Sequence, residues 1–252
     1  MTNLIATLLL VATQTGQVAP PVEQPMGWLW GDQPSPLSAR PYEPHEGDLV
    51  FMSHTAPLRT AAYLAFRTGH PLHCALLVRS PDGVLAVFET GGGQKKVTTL
   101  QPVARRFHEH LTTERDPVLW IRPIRRPLTS EESARLTGFA LAELAKPLQP
   151  NYRYLRLIIP GRPTHASRDG QSQWFCSELV AQGLIEAGLL QTRLPAGSLV
   201  PADLFYDRRI DLSAVWAAPC QWTEVQHLPT TYPRLAPVVV AEPSSPATPL
   251  AK

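Results

Sequence analysis

Two neighbouring apolar runs restrict the fold of this chain more than any other feature. Cys74–Val78 and Val84–Glu89 have the length and the aliphatic, β-branched character of buried strands. Between them lies Pro81-Asp82-Gly83, a sequence typical of a tight turn. The two runs are therefore predicted to form an antiparallel hairpin.

The length of the hairpin loop decides which side chains share a face of the sheet. Side chains alternate along a strand, so His73 lies on the face of Ala75, and Cys74 points to the opposite face. A loop with an odd number of residues, such as Pro81–Gly83, places Ala75 opposite Glu89. His73 is then the diagonal neighbour of Glu89 and within reach of its carboxylate. We predict this odd loop and, with it, contact between the two side chains.

Further periodic segments predict an α+β fold. The additional predicted strands are Asp48–Met52, Val97–Leu100 and Val118–Arg122. Pro57–Thr68 predicts one helix, and the capping box Thr129–Glu132 opens another that stops before Pro147. The order is strand, helix, several strands and then two helices, the second of which carries Cys176. This succession is typical of an α+β domain.

A cysteine opens the last predicted helix. Phe175 and Leu179 begin an apolar stripe of helical period, Gly188 is the expected stop, and Ser172 is the predicted N-cap. Cys176 would then lie in the first turn, near unsatisfied N–H groups and the positive end of the helix dipole. Such surroundings favour the thiolate. The alternative is a buried structural thiol, because cysteine is among the most buried residue types.

The overall composition excludes several classes of protein. The net charge is +2, with 23 basic and 21 acidic residues, so there is no strong electrostatic case for binding nucleic acid or an acidic membrane. Basic pairs such as Arg105-Arg106 are isolated and are predicted to lie on a solvated face. The three cysteines, Cys74, Cys176 and Cys220, are too few for a disulfide scaffold, although their number leaves room for one bridge.

Segments of different composition flank the predicted domain. Residues 1–19 contain an apolar run too short to span a membrane, which indicates a cleaved signal peptide and hence a periplasmic or extracellular protein. No Lys or Arg precedes Arg40, so a loose N-terminal arm and a cytoplasmic location remain the alternative. Residues 20–45 form a Pro-rich arm or linker, 46–227 the folded domain, and 228–252 a Pro-rich tail that is expected to be disordered.

Several motifs occur along the chain in an order that resembles a known family. They are Gly47-Asp48-Leu49-Val50-Phe51, His73-Cys74-Ala75-Leu76, Val87-Phe88-Glu89, Phe175-Cys176-Ser177-Glu178-Leu179 and Pro201-Ala202-Asp203-Leu204. In this succession the chain resembles the YiiX/YebB-like proteins, the circularly permuted branch of the NlpC-like, papain-fold cysteine hydrolases. The resemblance implies a papain-like domain in which an antiparallel sheet packs against helices.

The same resemblance implies roles for individual residues. Cys176 would be the nucleophile, His73 the general base and acid, and Glu89 the residue that orients His73. The backbone N–H at the start of the Cys176 helix would contribute to an oxyanion hole. Tyr152 or Tyr154 would line the substrate site, although the tyrosine motif of the relatives is rearranged in this sequence.

The expected activity is hydrolysis of an amide or peptide bond through a thioester acyl-enzyme, without a cofactor. Peptidoglycan stem peptides would be the substrate of an exported enzyme. The alternatives are hydrolysis or transfer of acyl or lipid groups by the same thiol, and a non-catalytic domain that binds a peptide or amine. A metal site at His70–His73 or His108–His110 is disfavoured, because neither has the spacing of a His-Glu-x-x-His helix. Alkylation of Cys176 is expected not to depend on Cys74 or Cys220.

Overall fold

The fold is α+β, as predicted, and is built on one mixed sheet. The computed structural model describes residues 39–54, 70–92, 96–147 and 173–223. The strands are β1 (Arg40–Pro41), β2 (Leu49–Ser53), β3 (His73–Arg79), β4 (Leu85–Thr90), β5 (Thr98–Pro102), β6 (Val118–Arg122) and β7 (Cys220–Thr223). They form a seven-stranded sheet in the order β1-β7-β6-β2-β3-β4-β5. Neighbouring strands are antiparallel except β1 and β7, which are parallel.

Helices in the described part of the chain cover both faces of the sheet. They are α1 (Val103–Thr113), α2 (Ser130–Ala142), α3 (Cys176–Glu186) and α4 (Pro201–Tyr206). Buried side chains of α2, α3 and α4 join one apolar cluster with β2, β3 and β4. Those of α1 join a second cluster on the opposite face. Since both faces are covered, the middle of each central strand is apolar, and polar residues such as His73 and Glu89 lie at the strand ends.

The hairpin of β3 and β4 has the predicted register. Leu76 pairs with Phe88 and Arg79 with Leu85, so opposing residue numbers have an even sum. Ser80 N–H donates to Val84 O at 2.9 Å, which leaves an odd loop. Gly83 has φ of +81°, a left-handed conformation that glycine adopts without steric cost. The prediction that His73 and Glu89 share a face is confirmed.

The ends of two predicted helices can be compared with their sequence signals. Thr129 caps α2 as expected, with Glu132 N–H donating to Thr129 Oγ1 at 3.2 Å and Thr129 N–H donating to Glu132 Oε2 at 2.8 Å. Gly188 follows the end of α3 with φ of +76°. The predicted N-cap Ser172 is wrong, because α3 begins at Cys176 and its N-cap is Phe175. Cys176 is therefore at the first helical position, even closer to the helix end than expected.

Besides the short helix α4, three elements were not predicted from the sequence. The first is α1, which carries Arg105 and Arg106. The prediction that this pair lies on a solvated face is wrong for Arg106, which is 3% exposed. The second is β7, which pairs with β6. The third is β1, which brings Arg40–Pro41 into the sheet before the predicted domain start at residue 46. Trp222 Nε1 donates to Tyr42 O at 2.9 Å and fastens this segment to β7.

Several sequence predictions fall outside the described residues. These are the signal peptide 1–19, most of the arm 20–45, the helix Pro57–Thr68, the substrate residues Tyr152 and Tyr154, and the tail 228–252. Within the described ranges, no helix combines the length and apolar character needed to cross a membrane.

Candidate active site

Cys176 is held at the N-terminus of α3 against the middle of the sheet. Its side chain is 3% exposed and packs in the same apolar cluster as Cys74 of β3. The first turn of the helix is closed by Leu179 N–H, which donates to the carbonyl oxygen of the N-cap Phe175 at 2.9 Å. The N–H groups of a first helical turn have no acceptor within the helix, and they give this end a partial positive charge. The helix thus presents the Cys176 sulfur where negative charge is favoured.

His73 is the first residue of β3, so its ring can reach around the end of the strand. Its Nε2 lies 2.7 Å from Glu89 Oε2, and its side chain is 16% exposed. The other ring nitrogen, Nδ1, is left for the thiol. Burial opposes a charge on the ring, but attraction and a hydrogen bond from Cys176, followed by those from Glu89, raise the pKa of His73 to about 9.

Glu89 is a buried carboxylate with two charged partners. It is fully buried near the end of β4, where it accepts from His73 on one oxygen and from Arg106 Nε on the other. Arg106 Nη2 is 3.4 Å from Glu89 Oε2. Burial alone would favour the neutral acid, yet the His73 hydrogen bond and the charges of Arg106 and His73 lower the pKa of Glu89 to about 2. A Cβ at Gly92 would collide with this carboxylate, so glycine is required there.

Cys74 is the neighbour of Cys176 that sequence reasoning left without a role. The Cys74 side chain, as a hydrogen-bond donor, has the largest effect on the pKa of Cys176 and lowers it, whereas burial raises it. Together with the charge and hydrogen bond of His73, the Cys74 side chain holds the pKa of Cys176 well below its usual range. Burial, together with the bond and charge of Cys176, raises the pKa of Cys74 well above its usual range. These opposite directions favour the thiolate at Cys176 and the protonated thiol at Cys74.

The third cysteine belongs to another part of the sheet. Cys220 lies in β7, and its sulfur is 3.6 Å from Ile121 O. All three cysteines are free thiols in this structure. Cys220 is thus a natural control for experiments on the other two.

The Gly47-Asp48 motif has a structural role. Asp48 is fully buried and accepts from His45 N–H at 2.7 Å and from Ile124 N–H at 2.8 Å. It thereby ties the start of β2 to the segment after β6. Gly47 has φ of +89°, and a Cβ there would lie 2.8 Å from Ile124 Cδ1. Trp216 Nε1 closes the same corner by donating to Gly47 O at 2.8 Å.

The Pro201-Ala202-Asp203-Leu204 motif also shapes the backbone. Pro201 is the first residue of α4, where its missing N–H costs nothing. Asp203 accepts from Val200 N–H at 2.9 Å and so caps the helix. Its carboxylate faces Arg209 at 3.6 Å. Nothing in these contacts involves Cys176 or His73.

The histidines considered as metal ligands have other partners. His70 Nδ1 lies 3.0 Å from Ser53 Oγ, and His110 Nε2 donates to Val118 O at 3.2 Å. His73 is bound to Glu89. Across residues 39–54, 70–92, 96–147 and 173–223, no three His, Cys, Asp or Glu side chains are grouped so that they could hold a metal ion.

The fold and the site together define an α+β protein in which a buried cysteine at a helix N-terminus lies near a histidine that is hydrogen-bonded to a buried glutamate. No family model matches this sequence, and no curated protein matches it. Among solved structures it is similar to the metalloprotein YiiX of Escherichia coli O157:H7, at 19% identity and a TM-score of 0.39. The match covers 58% of this chain and 67% of that one. This similarity implies neither a family nor an activity for the chain.

Proposed function

We propose that this chain is a cysteine hydrolase that cleaves an amide or peptide bond through a thioester acyl-enzyme. The observation that carries the proposal is the 2.7 Å hydrogen bond between His73 Nε2 and the buried carboxylate of Glu89, next to a buried Cys176 at the N-terminus of α3. A nucleophile, a base within hydrogen-bond reach and a group that orients the base are the parts required for nucleophilic catalysis. Their burial strengthens each electrostatic interaction.

The arrangement leads directly to a mechanism. Glu89 holds the proton on Nε2 of His73, so Nδ1 accepts the proton of Cys176. The thiolate attacks the substrate carbonyl carbon, and the negative charge that develops on oxygen is met by N–H groups at the start of α3. As the tetrahedral intermediate collapses, the C–N bond breaks and His73 returns its proton to the leaving amine. Water, deprotonated by His73, then hydrolyses the thioester and regenerates the thiol.

The finer assignment, to the circularly permuted NlpC-like branch of the papain fold, is part of the same proposal. It is supported by the chain order His73, Glu89, Cys176 and by a helix-borne cysteine packed on a largely antiparallel sheet. An exported enzyme of this type would act on peptidoglycan stem peptides, and the resemblance implies Tyr152 or Tyr154 as substrate-binding residues. Hydrolysis of acyl or lipid groups would use the same thiol. The two activities are distinguished by which substrate the protein hydrolyses.

The decisive experiment needs no substrate. The rate of iodoacetamide alkylation at Cys176 is followed as a function of pH in wild type and in His73→Ala, with Cys220→Ala as the matched control. An apparent pKa well below the roughly 8.5 of a free thiol, which rises in His73→Ala and is unchanged in Cys220→Ala, supports an activated nucleophile. A normal value in all three proteins would mean a structural cysteine and would favour the non-catalytic binding domain.

Once an activated thiol is established, a panel of substrates tests the reaction itself. Peptides with D-amino acids, p-nitrophenyl acyl esters and simple lipid amides distinguish stem peptides from acyl groups. Hydrolysis that disappears in Cys176→Ala is expected for one of these classes. An activated thiol that turns over none of them contradicts the hydrolase and favours peptide or amine binding.

A further inference from the structure

We propose that Arg106 is a positioning residue of this site, which keeps Glu89 ionised and thereby fixes the His73 tautomer that accepts the Cys176 proton. The inference rests on the proposed function, because it concerns the same thiol. It adds a residue from α1, on the face of the sheet opposite to the Cys176 helix. The resemblance in sequence assigned no role to this arginine.

The contact between Arg106 and Glu89 is a buried pair. Arg106 Nε donates to Glu89 Oε1, and Nη2 approaches Oε2 at 3.4 Å. The two side chains are 4% and 0% exposed. Glu89 Oε2 is also the oxygen that meets His73 Nε2 at 2.7 Å. The carboxylate is therefore fixed from two sides, and its orientation toward the imidazole is set by the guanidinium.

The charges alternate along this buried row. In the reactive state they are Arg106 positive, Glu89 negative, His73 positive and Cys176 negative, so the row is neutral as a whole. A buried charge without a partner is strongly unfavourable, and a neutral row avoids that cost. Without Arg106, the thiolate form would carry a net negative charge in a dry site. Either Glu89 would take up a proton or the thiol would keep its own.

Protonation of Glu89 would reverse the hydrogen bond to His73. A neutral carboxyl donates its proton, so Nε2 of a neutral imidazole would become the acceptor and Nδ1 would carry the hydrogen. Nδ1 could then no longer accept the proton of Cys176. A single arginine that keeps Glu89 ionised thus decides whether His73 can act as the base.

Other ionisable groups also face the row in the described part of the chain. His110 lies one turn after Arg106 on α1, and burial lowers its pKa to about 4, so it is neutral at neutral pH. Cys74 faces Cys176 from β3 and stays protonated, because burial and the neighbouring thiolate raise its pKa. Neither group can replace the positive charge of Arg106.

The test compares two neighbouring arginines. Arg106→Gln and Arg105→Gln remove the same charge from the same helix, but Arg105 is exposed. In Arg106→Gln the apparent pKa of Cys176 alkylation is expected to rise by at least about one pH unit, which is about a tenfold loss of thiolate at pH values below both pKa values. Arg106→Lys should recover part of the shift, because lysine restores the charge without the second hydrogen bond. An unchanged profile in folded Arg106→Gln overturns the proposal.

A second measurement covers the case in which Arg106→Gln does not fold. Glu89→Gln is compared with the double variant Glu89→Gln/Arg106→Gln, in which both charges of the pair are gone. If Arg106 acts only through Glu89, the second substitution leaves the pH profile unchanged; a further shift contradicts the proposal. A wild-type Cys176 without a lowered pKa would instead defeat the proposed function, so the two failures are distinguishable.

Discussion

Two carboxylates are fully buried at the sheet, and their surroundings differ in one respect. Asp48 accepts from the backbone N–H groups of His45 and Ile124 and from the Tyr42 hydroxyl. Glu89 accepts from two side chains that carry charge, Arg106 and His73. Burial raises the pKa of Asp48 to about 6, whereas the cationic partners of Glu89 outweigh its burial and lower its pKa to about 2.

The difference separates a structural carboxylate from one suited to chemistry. Backbone donors are fixed in place, so Asp48 joins two segments of chain, and none of its hydrogen-bond partners belongs to the Cys176 site. The partners of Glu89 are side chains that carry charge, and the pKa of one of them, His73, is raised by the neighbouring Cys176. The comparison therefore predicts that changes at Asp48 alter folding stability, whereas changes at Glu89 alter the reactivity of a thiol.

The largest effect is expected for Glu89→Gln. The amide cannot stabilise the imidazolium or fix its tautomer, and loss of the equivalent carboxylate in a Ser-His-Asp triad costs about 10⁴-fold in turnover. We expect a fall of about 10³-fold or more in kcat/KM, and a rise in the pKa of Cys176 alkylation. The measurement is hydrolysis of the substrate found in the panel. Full activity in this variant would remove the distinction between the two carboxylates.

Asp48→Ala should show the opposite pattern. Two buried N–H groups lose their acceptor, and an unsatisfied buried donor costs about 1–3 kcal/mol, so the free energy of unfolding should fall by about 3 kcal/mol. Denaturant unfolding measures this loss. The pH profile of Cys176 alkylation should not move in the fraction that is folded. A shifted profile with unchanged stability would show that Asp48 acts on the site.

The two carboxylates should also give stability opposite dependences on pH. The folded protein holds the pKa of Glu89 at about 2 instead of 4.5, so between these values the folded state binds fewer protons and stability rises with pH. The pKa of Asp48 is raised from 3.8 to about 6, so across this window the folded state binds more protons and stability falls as pH rises.

Denaturant unfolding at several pH values tests this opposition. The stability of wild type relative to Asp48→Asn should decrease from pH 3.8 to 6, because only wild type carries the titrating carboxyl. Relative to Glu89→Gln it should increase from pH 2 to 4.5. A difference from Asp48→Asn that stays constant with pH would contradict the raised pKa.

The contact between His73 and Glu89 could be predicted from the sequence because it depends on local rules. Alternation along a strand and the parity of a short loop fix the register, and the register fixes the face. The position of Cys176 at a helix start followed from helical periodicity in the same way. Only the capping residue was wrong, since α3 begins after Phe175 without a capping side chain.

Arg106 and Cys74 could not be placed by the same reasoning. A charged residue is normally at the surface, and only the helical spacing of Val103, Phe107 and His110 signals that Arg106 lies beside a buried stripe. Its partner Glu89 is on another element, which periodicity cannot reveal. Cys74 was assigned correctly to the face opposite His73. Cys74 and His73 nevertheless both influence Cys176, because the site lies where β3 begins.

The smallest effect is expected for substitutions of Cys74, whose own thiol lowers the pKa of Cys176 by hydrogen bonding. In Cys74→Ala the donor is lost. A hydrogen bond to a charged group is worth about 1.5–3 kcal/mol, and a thiol is a weak donor at the low end of this range, so the alkylation pKa of Cys176 should rise by about one pH unit. Cys74→Ser keeps a donor of similar size and should lie close to wild type. Identical profiles in the two variants would mean that the bond does not stabilise the thiolate. Cys74 stays protonated at neutral pH. An effect confined to Cys74→Ala would therefore show that a neutral donor can stabilise a charge without exchanging a proton, as the backbone N–H groups around Asp48 do.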